Sequence, residues 1–254
     1  MDSRFSNQRS IIDEQLLGRT RFMVVGAGAI GSFYVAMLSK MGGRDITVCD
    51  FDRLENHNFS SQFYPVSGLG KAKVDVLKDI ALSYGDAEIK AIAEPWCPEI
   101  LGLGASEGRG QDFRFDIVVS CVDNMGIRSV LWDYYKDKCD LFLDGRMSAQ
   151  FYKVFGVETS NKEACDYYAS TLHSQEVAEI EPCGQKSIIY TVSQVAGMML
   201  SQTKQFLNKE YRPTSVFFDS YNNDIVKTYH MNPPVIEEIV AMETEHEESH
   251  PETH

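Results

Sequence analysis

The residues of this chain whose types and spacing could do chemistry begin with a glycine run, Gly26-Ala27-Gly28-Ala29-Ile30-Gly31, directly after the apolar stretch 21–25. Gly26 permits a tight turn, Gly28 lets the backbone approach a phosphate, and Gly31 allows close helix–strand packing. Ala29 opens the helix that follows, whose free N–H groups would face an anion. Asp50 and Asp52 come next. An acid about twenty residues beyond such glycines binds ribose hydroxyls, and acids on alternate residues of an extended segment project alike. Solvated acids at a strand end are the lesser alternative. Lys71 follows Gly68-Leu69-Gly70 and opens a helix. It could reach back to a triphosphate and neutralise charge developing there, or stand exposed as an ordinary helix-start lysine. Asp123-Asn124 follows a buried β-branched run. Asp123 could hold Mg²⁺, which favours carboxylate and phosphate oxygens. Asn124 could bond a nucleotide, cap the next helix, or do both.

The elements that must position these residues follow from periodicity. Strands are expected at 21–25, 45–49, 87–93, 116–121 and 141–144, and a further strand, antiparallel to its neighbour, at 150–158. Helices are expected at 29–41, 71–83, 125–136 and 187–207, with a short one over 7–17. A long polar connection spans 52–70, a glycine-rich loop 101–111, and a loop or lid 161–182. Residues 215–219 and 225–229 suit a closing hairpin. The fold expected is α/β, a Rossmann-like doubly wound, mostly parallel sheet with an antiparallel C-terminal extension. It forms a single domain over residues 1–241.

The chain has 254 residues, 43% of them hydrophobic, enough for a sizeable core. Its net charge of −13 argues against nonspecific nucleic-acid binding. No apolar run reaches membrane-spanning length, and the polar start lacks a signal-peptide core, so a cytoplasmic location is expected. Residues 242–254 are acidic and poor in large apolar side chains, and read as a disordered tail. The histidines at 246, 250 and 254 belong to that tail rather than to a metal site. The six cysteines include no C-x-x-C pair, so free thiols are expected.

Taken in order, GAGAIGS, Asp50-x-Asp52, Asn58 with Gln62, Gly68-x-x-Lys71-Ala72, Cys121-x-Asp123-Asn124-x-x-x-Arg128 and Asp144-Gly145 resemble the ThiF/MoeB/HesA and ubiquitin-activating superfamily of adenylyltransferases. The resemblance runs from about residue 4 to 207. It implies ATP and Mg²⁺, and adenylation of the C-terminal carboxylate of a ubiquitin-like or sulfur-carrier protein, by a homodimer. Carried over by position, Asp50 is the ribose acid. Asp52, Asn58 and Lys71 lie on the phosphate or metal side, and Asp123 and Asn124 form the Mg²⁺ and nucleotide pair. Cys183, in Pro182-Cys183-Gly184, stands where many members form a thioester or acyl-disulfide. A thiolate near a helix N-terminus is the more reactive for it. Cys165 is the runner-up, while Cys49, Cys121 and Cys139 suit packing. Asn7 and Ser61 stand where the family carries arginines. Arg9, Arg19 or Arg146 could supply the missing charge, and Arg146 has the best placement. Tyr168 occupies a position where many members have a zinc-binding cysteine, so a four-thiolate zinc site is not expected. Two other readings stay open: a catalytically weak module that binds a ubiquitin-like tail, and an NAD(P)-dependent oxidoreductase. The latter leaves Lys71 and Asp123-Asn124 without roles.

Overall fold

The computed structural model describes residues 3–99, 114–172 and 188–230. A 3₁₀ turn over Ser3–Gln8 leads to a short helix, α1 (Glu14–Arg19), capped by Asp13, whose carboxylate accepts from the Gln15 and Leu16 N–H groups. The single helix expected over 7–17 is thus a 3₁₀ turn and an α-helix separated by that cap. The chain continues through β1 (Arg21–Val25), α2 (Ala29–Met41), β2 (Asp45–Cys49), α3 (Lys73–Gly85), β3 (Lys90–Ile92) and β4 (Ile117–Ser120). Then come α4 (Met125–Tyr135), β5 (Leu141–Ser148), β6 (Phe151–Glu158), α5 (Lys162–Ser170), α6 (Ile189–Leu207), β7 (Ser215–Asp219) and β8 (Asp224–Thr228).

The eight strands form one sheet in the order β3-β2-β1-β4-β5-β6-β7-β8. Pairing is parallel from β3 to β5 and antiparallel from β5 to β8. This is the expected fold class. Alternate residues of β1 serve opposite faces, as a two-residue period requires. Phe22 and Val24 join the cluster with α2, α3 and α6, whereas Met23 and Val25 join α4 and α5. The chain leaves β1 towards β2 and returns on the other side of β1 as β4. The loops after β1 and β4 therefore diverge and open a crevice, the usual ligand site of such sheets.

Several elements differ from expectation: α3 begins at Lys73, so Lys71 precedes it rather than opening it, and β3 spans only Lys90–Ile92 of the expected 87–93. β5 runs on to Ser148, because β6 pairs with it along its whole length, from Leu141↔Glu158 to Ser148↔Phe151. The first part of the stretch expected as a loop or lid is helix α5, capped by Asn161, whose Oδ1 accepts from the Ala164 N–H at 3.0 Å. The loop expected at 101–111, Cys183 and the acidic tail lie outside the described residues. No helix among the described residues is long and apolar enough to cross a membrane.

Candidate functional site

The crevice is built around the glycine turn. Gly26 has φ of 97°, and a Cβ there would lie 2.6 Å from the Cys121 carbonyl oxygen in the turn after β4. Gly31 sits so close beneath that a Cβ would lie 1.9 Å from the Gly26 carbonyl oxygen. These two glycines close the crevice floor. A Cβ on Gly28 would meet nothing within 4 Å, so the turn is open on the side where an anion would approach. Gly28 caps α2 with no side-chain hydrogen bond, and Ala29 is its first residue. The opening N–H groups of α2 are left for a ligand or solvent.

Ala27 is clamped on both sides. Its N–H donates to Asp50 Oδ2 at 2.6 Å, and its carbonyl accepts from Tyr64 Oη at 2.6 Å. Asp50 Oδ1 accepts from the Asp52 N–H at 2.8 Å. Each carboxylate oxygen keeps a second lone pair for a ribose hydroxyl. The connection after Asp52 folds back onto the turn, with the Phe63 N–H donating to Ser32 Oγ at 3.0 Å. Asn58, buried, closes a local capping box through its bond from the Glu55 N–H, at 2.8 Å. Gln62 Oε1 is buried without a hydrogen-bond partner.

Of the two lysines after the glycines, the one whose side chain lies against Asp52 is Lys73. Lys71 is exposed, and among the described residues its side chain pairs with nothing. Lys73 opens α3 with its side chain 7% exposed, and its Nζ donates to Asp52 Oδ2 at 2.7 Å. The signal for Lys73 was present in the sequence: Gly70-x-x-Lys73 repeats the pattern of Gly68-x-x-Lys71 two residues on. Tyr64 carries no such signal, since nothing in its sequence context marks a residue that pins the glycine turn.

Asp123 is exposed, and its carboxylate has no partner among the described residues. Asn124 caps α4, its Oδ1 accepting from the Ile127 N–H at 3.0 Å, and leaves its amide N–H₂ available. A single unpartnered carboxylate in the turn after β4 suits Mg²⁺, which takes one or two carboxylates plus phosphate oxygens rather than a protein cage. The donor set therefore fits the metal that the sequence implied.

Arg146 is not available to phosphates. Its Nε donates to Asp144 Oδ2 at 2.7 Å, and its two Nη atoms donate to Thr171 O at 3.0 Å and Thr171 Oγ1 at 3.1 Å. Its guanidinium lies over the Phe155 ring, 4.4 Å from the centroid. Arg128 Nε takes the other oxygen of Asp144 at 2.7 Å. Burial alone would raise the Asp144 carboxyl, but the two guanidinium groups outweigh it and hold it below the usual carboxylate range. Arg19, exposed, ends α1 immediately before β1, and Arg9 pairs with Glu14 at 3.7 Å. Gln8 bonds the Met41 carbonyl at the far end of α2. Arg9 and Arg19 therefore lie about 20 Å from the glycine turn of their own chain, the length of a thirteen-residue helix. None of the three arginines stands in for the missing charges within one chain.

Cys49, Cys121, Cys139 and Cys165 are not activated. Burial pushes the Cys49 thiol up to about 12 and drives Cys121 and Cys139 up as well. Cys165 is also raised by burial, and its Sγ points at the Glu158 and Thr159 carbonyls.

A sequence model of the ThiF family matches residues 7–235. Ubiquitin-like modifier-activating enzyme 5 of Caenorhabditis elegans is 29% identical over 110 residues, 41% of this chain and 26% of its own length. The tRNA threonylcarbamoyladenosine dehydratase 1 of Saccharomyces cerevisiae is 30% identical over 123 residues, 47% of this chain and 28% of its own length. The chain thus matches little more than a quarter of these curated relatives. Among solved structures, E. coli MccB with ATP superposes with a TM-score of 0.69 at 15% identity, covering 92% of this chain and 74% of that one. At that identity the likeness speaks to the fold.

Proposed function

The chain belongs to the ThiF family, and from that premise we propose that it is an ATP-dependent adenylyltransferase acting on the C-terminal carboxylate of a ubiquitin-like or sulfur-carrier protein or peptide. The observation that carries this reading is the buried ammonium of Lys73, held against Asp52 two residues beyond the acid that fixes the glycine turn. A nicotinamide enzyme has no use for a lysine there. A triphosphate does. Relatives named as ubiquitin-like modifier-activating enzymes support the same chemistry.

In this mechanism Asp50 accepts from the ribose hydroxyls while holding the turn. The α2 N-terminus and the backbone at Gly28 receive phosphate oxygens. Lys73 gives one N–H to Asp52 and has two more for the β- and γ-phosphates. Asp123, with the outer oxygen of Asp52, would hold Mg²⁺, which supplies further neutralisation of phosphate charge when bound. The substrate carboxylate attacks the α-phosphorus, an acyl-adenylate forms, and pyrophosphate leaves. No side-chain nucleophile is needed, because positioning and charge stabilisation suffice. A second step, attack of the Cys183 thiolate on the acyl-adenylate carbonyl with loss of AMP, rests on the Pro182-Cys183-Gly184 pattern. The homodimer belongs to the same proposal. So does a cytoplasmic setting.

The test is exchange of radiolabelled pyrophosphate into ATP in the presence of candidate carriers. Carrier-dependent exchange that is lost in Asp123→Ala supports the reading. Tight NADH binding without ATP binding sinks it, and carrier binding without exchange points to a binding module. Cys183→Ala should leave exchange intact and remove any thiol-labile carrier adduct.

A further inference from the structure

We infer that Arg146 is a positioning residue for the nucleotide site, acting through Asp144 and Arg128 on the turn that carries Asp123 and Asn124; this rests on the adenylation reading above. Asp144 is completely buried on β5 and lies beside Ser120, the last residue of β4. Its two oxygens are divided between partners. Oδ2 accepts from Arg146 Nε at 2.7 Å and from Tyr168 Oη at 3.0 Å, while Oδ1 accepts from Arg128 Nε at 2.7 Å. Arg128 therefore meets the carboxylate through one nitrogen only. Its Nη2 is left to donate to the Val122 carbonyl at 2.5 Å. That bond, with the Cys121 N–H to the Val25 carbonyl at 2.8 Å and the Asn124 cap, fixes the turn from which Asp123 projects.

Arginine prefers to meet a carboxylate with two parallel N–H groups. In this cluster Arg146 and Tyr168 occupy the oxygen that a second bond from Arg128 would use. Without Arg146, Arg128 is free to swing into the paired geometry and drop Val122. The cluster also carries two guanidinium groups against one carboxylate, so it leaves one net positive charge behind the phosphate crevice. Arg146 contributes that excess while touching no ligand. Its bonds to Thr171 hold the guanidinium in place from the end of α5.

The experiment measures the Kd for Mg·ATP by calorimetry, alongside the melting temperature, for the full chain and for Arg146→Gln, Arg146→Lys and Arg128→Lys. Arg146→Gln should weaken Mg·ATP about ten- to hundredfold, as loss of a supporting residue typically does. Arg146→Lys restores a cation on Asp144 Oδ2 without the fork to Thr171. It should recover most of the affinity and little of the melting temperature. Arg128→Lys keeps the ion pair but cannot reach Val122 at the same time, and should lose affinity as Arg146→Gln does. Should Arg146→Gln fail to fold, Arg128→Lys decides alone. Wild-type affinity in Arg128→Lys, or affinity that simply tracks melting temperature across both Arg146 variants, would overturn the inference. A wild-type chain that binds no Mg·ATP would instead overturn the adenylation reading on which it stands.

Discussion

An ammonium that is to serve a triphosphate must be held at the crevice without being wholly neutralised. Lys73 meets that requirement: its side chain is 7% exposed, and its ion-pair partner Asp52 is itself 49% exposed. Lys71, two residues away, has no such anchor. The spacing after a glycine fits both lysines, so the sequence alone does not choose between them. Burial against Asp52 does. Lys73→Ala should therefore reduce pyrophosphate exchange by about a hundredfold or more, the scale of losing one preorganised charge donor. Lys71→Ala should stay within a few-fold of wild type. Equal losses in both variants would mean that Lys71 serves the site as fully as Lys73. The glycines divide in the same way. Gly28→Ala meets no atom within 4 Å, so it should change stability by no more than about 1 kcal/mol while weakening ATP, because its methyl occupies the phosphate side. Gly31→Ala would drive Cβ to 1.9 Å from the Gly26 carbonyl and should cost about 3 kcal/mol or more. Melting curves with and without Mg·ATP separate the two effects.

At the level of elements, what the sequence made legible follows pattern strength. The glycine turn, the strands around it and α2 carry unbroken apolar runs and helix-spaced residues, so their type and, to within a residue at each end, their bounds were readable. The hairpin of β7 and β8 was readable from its two short apolar runs. Helix α5 was not. Only Ala164 and Tyr168 along it are buried, a single i, i+4 pair on an otherwise polar segment. Its stability comes from tertiary packing, which periodicity cannot report. Tyr168 stacks edge-on against Trp132 at 4.8 Å and Phe155 at 5.2 Å, and lies 5.5 Å from Phe142. Arg146 was misplaced for a related reason. Its position just past an expected strand end suggested a free cation, but β5 continues through it and aims it at Asp144 and Thr171. Tyr168→Ala should destabilise the fold by about 3–5 kcal/mol, as truncating a buried aromatic does. Tyr168→Phe removes only the bond to Asp144 and should cost about 1 kcal/mol. Chemical denaturation of both variants checks the split. Near-equal losses would mean that the hydroxyl, not the ring, holds α5 to the sheet.

For the molecule as a whole, the Arg128–Asp144–Arg146 cluster joins α4, β5 and α5 on one face of the sheet, so its protonation bears on global stability. The folded state holds the Asp144 carboxyl below its ordinary value, despite the opposing effect of burial. The unfolded chain takes up that proton near the ordinary carboxylate value of about 3.9. The sign follows directly. Above about pH 4 both states are ionised at this residue, and the cluster contributes its full stabilisation. As pH falls below that value the unfolded state is protonated first, and the contribution drains away until the lower, folded-state value is passed. Many carboxylates add to acid unfolding, so the cluster's share must be isolated by substitution. Asp144→Asn should lower stability at neutral pH, because the buried Arg128 and the half-buried Arg146 lose their counter-charge. It should also flatten the slope of unfolding free energy against pH below about 4 relative to wild type. Parallel wild-type and Asp144→Asn slopes in that window, measured by urea unfolding at closely spaced pH values, would show that Asp144 is not held below its ordinary value in the folded chain.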